Sequence, residues 1–319
     1  MPFDASKFIE RAVEQIRREV GDGHAVLALS GGVDSTVTAV LAARALGKNF
    51  TAVFVDTGLM REGESEQVRE MARKVGINLR HIEASERFFN ALRGVEEPEQ
   101  KRKIIGELFI RIFEEVAREV KATFLLQGTL APDWIESGVG AGTQRIKSHH
   151  NVAGLPGGMK LRLVEPLRDL YKHEVREVAR ALGLPPAISE RQPFPGPGLA
   201  VRVVGEVTRE RVAIARRACK IVEEELEAAA QKGEIERPWQ YFAALLPIRT
   251  VGVRGDERAY QYTVVVRAVR SLDGMTANFS KLPPALLERI STRITNEIRE
   301  VGRVLYDITN KPPGTIELE

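Results

Sequence analysis

The sequence predicts an α/β protein: a parallel sheet with helices on both faces, followed by a smaller α+β domain. Three observations carry this expectation. Short apolar runs alternate with amphipathic ones from residue 25 to 183, the pattern of βα units feeding a parallel sheet. A Pro/Gly cluster, "RQPFPGPGLA" at 191–200, can continue neither a helix nor a central strand. Beyond it come a strand-like run, a long charged helix, a strand pair and a further helix. The expected domains are therefore 1–195 and 196–319.

Taken in order, "MPFDASKFIERAVEQIRREVGDG" reads as an amphipathic helix capped by Asp4 and stopped by Gly21. It lacks the basic-then-apolar order of a signal peptide. The runs "AVLALS", "FTAVFVD", "NLRHIEA", "ATFLLQG" and "LRLVEPL" read as strands. Between them "DSTVTAVLAARALG", "ESEQVREMARKVG" and "KRKIIGELFIRIFEEVAREV" read as helices, the last with apolar residues at 104, 105, 108, 109, 112, 113 and 116. Residues 129–160 hold six glycines and no sustained period; such a stretch is an active-site lid or a plain surface loop. The closeness of Lys147, His149 and His150 within it favours the lid. In the second domain "LAVRVVG" reads as strand-like, residues 208–232 as a helix, "IRTVGVRGD" and "AYQYTVVVRAV" as a pair, and "PALLERISTRITNEIREVG" as a helix.

Composition narrows the class. Lys and Arg number 47 against 44 Asp and Glu, a net charge of +3 with a pI near 9.0. The signs are interleaved, as in "RRACKIVEEELE", so a one-signed nucleic-acid patch is not expected. The apolar runs fall well short of the roughly 20 residues of a membrane span, and a cytoplasmic location is expected. The single cysteine, Cys219, excludes an internal disulfide and any multi-cysteine metal site.

The chemistry is expected where strands end, because open parallel sheets bind ligands outside the carboxyl ends of their strands. Ser30-Gly31-Gly32 follows the first strand, Asp56-Thr57-Gly58 the second and Gln127-Gly128-Thr129 the fourth. A turn that exposes backbone N–H groups at a helix N-terminus is an anion cradle, aided by the helix dipole. Gly31 and Gly32 let a phosphate approach, and the hydroxyls of Ser30, Ser35 and Thr36 add donors. Nothing matches G-x-x-x-x-G-K-[ST], so no loop lysine holds β- and γ-phosphates. Such a cradle suits a leaving pyrophosphate. Asp34 fits either a Mg²⁺ shell or a helix cap.

"SGGVDS" after a strand resembles the PP-loop of the N-type ATP pyrophosphatases, whose fold is adenine nucleotide alpha hydrolase-like. The segments "FVDTGLMREGE", "KRKIIGELF", "QGTLAPDWIES", "IKSHHNVAGLP", "LVEPLRDLYKHEVR", "RQPFPGPGLAVR", "VGVRGDERAYQYTVVVRAV" and "YDITNKPPGTIELE" extend the likeness, in order, to the GMP synthetase family. Within it the chain is most similar to the stand-alone ATP-pyrophosphatase subunit of the two-subunit form.

The resemblance implies a ligase that uses ATP and Mg²⁺ to aminate XMP. Ser30, Gly31, Gly32, Val33, Asp34, Ser35 and Thr36 would hold ATP, with Gly58 and Gly128 admitting the adenosine and Asp34 contributing to the metal. In the lid, Asp133, Glu136, Lys147, His149 and His150 would be catalytic. Asp133 and Glu136 are otherwise ordinary surface charge, and His149 and His150 have only His24, His81 and His173 as further imidazoles for a zinc site. Arg102, Asp256, Lys311 and Glu317 would bind XMP, Arg102 being otherwise a solvated helix residue. Leu318 stands where the family commonly shows tryptophan.

Cys219 lies mid-helix without a nucleophile-elbow context, so a separate glutaminase subunit is implied as the source of ammonia. The second domain is expected to pair two copies as a homodimer. The alternatives are another PP-loop enzyme, such as a tRNA-modifying one, or a catalytically silent nucleotide-binding subunit. The second-domain motifs argue against the first, and the intact loop, lid lysine and tail against the second.

Overall fold

The computed structural model describes residues 3–131, 161–272 and 274–319. Its contacts divide into two units. The first comprises Met1–Asp56, Glu64–Ala84 and Gly106–Arg191; the second comprises Thr57–Gly63, Ser85–Ile105 and Gln192–Glu319.

In the first unit, β1 (Ala25–Ala28), β2 (Phe50–Asp56), β3 (Leu79–Glu83), β4 (Phe124–Leu126) and β5 (Arg162–Val164) form one sheet in the order β3-β2-β1-β4-β5. Every pairing is parallel, with Ala25 beside both Phe50 and Phe124. All five expected strands are present. Phe50 to Val55 are buried without a break, which requires cover on both faces of the sheet. The helices α1 (Ala5–Val20), α2 (Val33–Leu46), α3 (Glu64–Val75), α4 (Ser85–Ala91, of the second unit), α5 (Pro98–Glu119) and α6 (Lys172–Ala181) follow in chain order. Right-handed crossovers put α2 and α3 on one face and α5 on the other. α1 and α6 pack with α2.

Local chemistry sets these limits. The Asp4 carboxylate accepts from the Lys7 N–H at 3.1 Å and starts α1, which ends at Gly21. Ala12, Ile16 and Val20 recur on the buried side of that helix. Strand order reverses between β1 and β4, so the connections after these two strands diverge and leave a crevice at the sheet's carboxyl edge.

The second unit is built on a long antiparallel pair, β6 (Gln240–Arg254) and β7 (Glu257–Arg270), closed by the two-residue turn Gly255-Asp256. β8 (Asn278–Phe279) pairs antiparallel and β9 (Val301–Tyr306) parallel with β7. Two further helices, α7 (Pro186–Ser189, of the first unit) and α8 (Arg209–Gln231), precede β6, and α8 packs on it. α9 (Pro284–Glu297) packs on α8 and β9.

Two readings of this region need correction. "LAVRVVG" is not a strand: Gly198–Arg202 is a 3₁₀ turn, and only Val203 makes a β-bridge, to Leu245. Its apolar residues are buried all round, which periodicity alone cannot tell from a strand. The final helix stops at Glu297, and the apolar residues after it form β9.

Buried cations organise this unit. Arg202 and Arg267 are fully buried. Arg202 makes a two-point bond to the Glu317 carboxylate, Nε to Oε2 at 3.1 Å and Nη2 to Oε1 at 2.9 Å. Its guanidinium also lies over Phe242, 4.2 Å from the ring centre. Arg267 donates to the backbone oxygens of Thr309, Thr315 and Ile316. The segment 307–319 is thereby held against the sheet.

Gly198 has φ +64, and a Cβ there would meet the Leu59 carbonyl oxygen at 2.4 Å. Gly198→Ala is expected to lower unfolding free energy by about 2–5 kcal/mol, from left-handed strain and forced backbone displacement. Denaturant unfolding followed by circular dichroism measures this.

Candidate functional site

The site grows from the break between β1 and α2. Leu29 N–H bonds the Val53 carbonyl at 2.8 Å, keeping the chain in the sheet until Ser30. Gly31 then takes φ +75, a left-handed conformation that L side chains rarely adopt. Gly32 is the N-cap of α2, with φ −76 and ψ 160, and no side chain caps it. A capless N-terminus leaves first-turn N–H groups available to a bound anion. Asp34 is therefore not the cap. It lies inside the first turn, and its Oδ2 meets Lys172 Nζ at 2.6 Å.

The serines line the turn. Ser30 and Ser35 hydroxyls are 3.0 Å apart, Ser35 Oγ accepts from the Ser30 N–H at 3.2 Å, and Gly32 N–H points to Ser30 Oγ at 3.4 Å. Ser30 is exposed and Ser35 partly so. The Gly32 carbonyl accepts from Ser35 Oγ at 3.1 Å and from Thr36 Oγ1 at 2.8 Å, and Thr36 is buried. It shapes the turn rather than offering a free donor. Val33 is buried beneath it. A Cβ on Gly128 would lie 3.2 Å from the Asp34 backbone and 3.1 Å from Thr38 Oγ1, so the connection after β4 abuts the first turn of α2. The order reversal of the sheet brings those two loops together.

A divalent cation can be tested against one observation. Asp34 Oδ1 is buried and meets no hydrogen-bond partner, while Oδ2 faces Lys172. A buried, unsatisfied carboxylate oxygen is the hard-oxygen donor that Mg²⁺ accepts, so Asp34 fits the ion.

Lys172 was missed as a site residue in the sequence. It is the first residue of α6, 138 positions from Asp34, and no local pattern links the two. A second feature missed in the sequence joins Asp56, His81 and Glu83, whose ligand atoms lie within 4.8 Å of one another at the ends of β2 and β3. Arg69 already serves this group, donating to Glu83 and meeting His81 Nδ1 at 3.1 Å, while Ser65 Oγ lies 2.7 Å from His81 Nε2. Burial pushes the His81 imidazole below its ordinary value, and the Arg69 charge adds to this.

In the second unit, Gly58 has φ +74; a Cβ there would meet the Ser85 side chain at 2.7 Å. Arg216 of α8 donates to the Gly58 and Met60 carbonyls. Arg102 donates to the backbone oxygen of Glu319, and its neighbour Lys101, fully buried, bonds the Glu319 carboxylate and the Val203 carbonyl. Glu317 is engaged by Arg202 and by Gln240 Nε2 at 2.7 Å. Lys311 donates to the Gly274 carbonyl at 2.8 Å. Arg102 and Glu317 thus meet the same closing segment. Asp256 does not: it is exposed in the β6–β7 turn, at the opposite end of that hairpin from Gln240. Asp133, Glu136, Lys147, His149 and His150 lie outside the described residues. Cys219 is buried and donates to the Ala243 carbonyl at 3.1 Å; burial pushes its thiol pKa up, the opposite of what a nucleophile needs.

A five-stranded parallel sheet, with a lysine-free Ser-Gly-Gly turn opening a helix at its order reversal, defines a PP-loop nucleotide enzyme of the ATP-pyrophosphatase class. Sequence comparison agrees: residues 5–109 match the NAD synthase family model, and residues 224–318 match that of the GMP synthase C terminal domain. The B subunit of the glutamine-hydrolysing GMP synthase of Thermococcus kodakarensis is 63% identical over 98% of this chain and 99% of that protein. Its counterparts in Pyrococcus abyssi and Methanopyrus kandleri are 60% identical over 98% of this chain and 58% over 99%, spanning 99% and 100% of those proteins. The chain belongs to this family of GMP synthase B subunits, and is a C–N bond-forming ligase.

Two outcomes are expected here. Gly31→Ala, with strain of about 1–2 kcal/mol at positive φ and a Cβ 3.0 Å from Glu64 Oε1, should weaken pyrophosphate binding at least about tenfold by calorimetry. Because the folded His81 pKa lies below its ordinary value of 6.5, the unfolded state binds the proton more readily. Stability from this residue is therefore whole above 6.5 and falls as pH drops from there towards the folded pKa. Urea midpoints across this range should show the loss, diminished in His81→Gln.

Proposed function

We propose that the protein converts XMP to GMP in two steps. The xanthine C2 oxygen attacks the α-phosphorus of ATP, an O–P bond forms, the bond to the β-phosphate oxygen breaks, and pyrophosphate leaves. Ammonia then adds at C2, the C2–O bond breaks, AMP departs, and the nitrogen loses its extra proton. Activation is required because a purine carbonyl oxygen is a poor leaving group and AMP a good one. The single observation that carries this reading is the full-length kinship with the B subunits of GMP synthases. The uncapped α2 N-terminus is consistent with it.

In this reading the α2 N–H groups with the Ser30 and Ser35 hydroxyls receive the pyrophosphate end. Lys172 supplies the positive charge that a Walker lysine supplies elsewhere. Asp34 Oδ1 would hold Mg²⁺, which shields charge on the phosphates. Gly128, beside the first turn of α2, leaves room for adenosine. Arg102, Lys311 and Glu317 recognise XMP, and the segment 129–160 acts as the lid with Asp133, Glu136, Lys147, His149 and His150.

Ammonia comes from a separate glutaminase subunit, in keeping with the names of the relatives, each one subunit of a glutamine-hydrolysing synthase. The enzyme works in the cytoplasm, and no helix among the described residues is long and apolar enough to cross a membrane. A homodimer forms through the second domain. Val251, Val253 and Tyr260 support this, since they are 57%, 77% and 65% exposed and share one face of the β6–β7 hairpin.

Purified protein with ATP, Mg²⁺, XMP and ammonium should yield GMP and pyrophosphate in equal amounts. With glutamine in place of ammonium, no GMP should form. Absence of both products with ATP still bound would overturn the catalytic reading.

A further inference from the structure

One buried charge pair of the first unit has no part in the chemistry above. Glu64, the first residue of α3, keeps 2% of its side-chain surface exposed, and its Oε1 lies 2.8 Å from Nη2 of Arg191, itself 18% exposed. A carboxylate buried to this degree is tolerated only when paired. The other amine, Arg191 Nη1, donates to the Gly31 carbonyl at 3.1 Å. A Cβ built on Gly31 would meet Glu64 Oε1 at 3.0 Å and Arg191 Nη1 at 3.3 Å. The pair therefore closes directly over the glycine that turns the loop.

This contact has a consequence for the next amide. In a trans peptide the C=O and the following N–H point in opposite directions. With the Gly31 carbonyl held on Arg191, the Gly32 N–H faces the other way, and it is found directed at Ser30 Oγ on the exposed side. Two adjacent glycines give this peptide little steric resistance to flipping. A flip would turn a carbonyl oxygen into an anion cradle and withdraw a donor from it. The local sequence does not forbid that; the Arg191 bond opposes it. Glu64 in turn fixes the guanidinium by taking Nη2, so Nη1 remains aimed at the carbonyl.

We infer that Arg191, oriented by Glu64, is a positioning residue that locks the Gly31–Gly32 peptide with its N–H towards the pyrophosphate end of the bound nucleotide. The inference rests on the cradle reading under Proposed function. Arginine suits the task because its planar fork satisfies a carboxylate and a carbonyl at once, which a lysine ammonium on a flexible stem does less well.

The test uses the full-length chain with Arg191→Gln, Arg191→Lys and the double variant Glu64→Gln/Arg191→Gln. The double variant leaves no buried unpaired carboxylate, so it keeps the question open to measurement even where the single variant fails to fold. Magnesium pyrophosphate and ATP are titrated calorimetrically, and KM is measured for ATP and for XMP with ammonium as nitrogen source. Arg191→Gln and the double variant should raise the pyrophosphate Kd and the KM for ATP together, by about ten- to a hundredfold. The KM for XMP should move less than about twofold, and Arg191→Lys should fall between. Unchanged ATP and pyrophosphate constants in folded variants would overturn the lock while leaving the cradle standing. An equal rise of both KM values would overturn it too, as a general loss of structure. Wild-type protein that binds neither ATP nor pyrophosphate would overturn the cradle reading and the lock with it.

Discussion

Much of the first unit depends on the uncapped start of α2 at the point where the sheet order reverses. A parallel sheet buried on both faces must send its polar connections to its edges, because unpaired backbone groups cannot be left in the core. Among these connections, the ones after β1 and β4 diverge, which opens a crevice. The chain places there a helix whose N-cap is glycine, leaving its first N–H groups and dipole to serve whatever anion enters. Gly31 at positive φ makes the turn possible, Gly128 lets the neighbouring loop come close, and Lys172 balances Asp34.

The second unit solves a different problem. Three cations, Lys101, Arg202 and Arg267, are buried completely, and a buried charge without partners is strongly unfavourable. Each is answered by the segment 307–319: Lys101 by Glu319, Arg202 by Glu317, and Arg267 by backbone oxygens with the Asp307 carboxylate at 3.2 Å. Removing one partner of such a pair typically costs about 3–5 kcal/mol. Glu317, proposed to read XMP, is thus built into the fold, and substitutions there combine a binding effect with a structural one. The same geometry accounts for Arg102, whose neighbour Lys101 carries the buried charge while Arg102 reaches the backbone of the same segment.

Secondary structure was legible where local rules decide it. The period-3.6 spacing in residues 104–116 marked α5, Asp4 and Gly21 marked both ends of α1, and five short apolar runs marked five strands. It was not legible where burial on all sides erases periodicity. The 3₁₀ turn Gly198–Arg202 was misread for that reason, being a run whose conformation is set by what covers it. A linear boundary likewise cannot express that Thr57–Gly63 and Ser85–Ile105 belong with the second unit.

The sequence by itself determined the class of sheet, the position and character of the Ser30-Gly31-Gly32 turn, and the absence of a loop lysine. Those features depend on neighbours a few residues apart. Only the tertiary structure decided which side chains serve that turn: Lys172 against Asp34, Arg191 and Glu64 around the Gly31 carbonyl, and Thr36 turned inward to the Gly32 carbonyl. Lys172, Arg191 and Glu64 come from elements 33 to 160 positions away in sequence, and they meet the loop because the strand order of the sheet folds those elements to one edge.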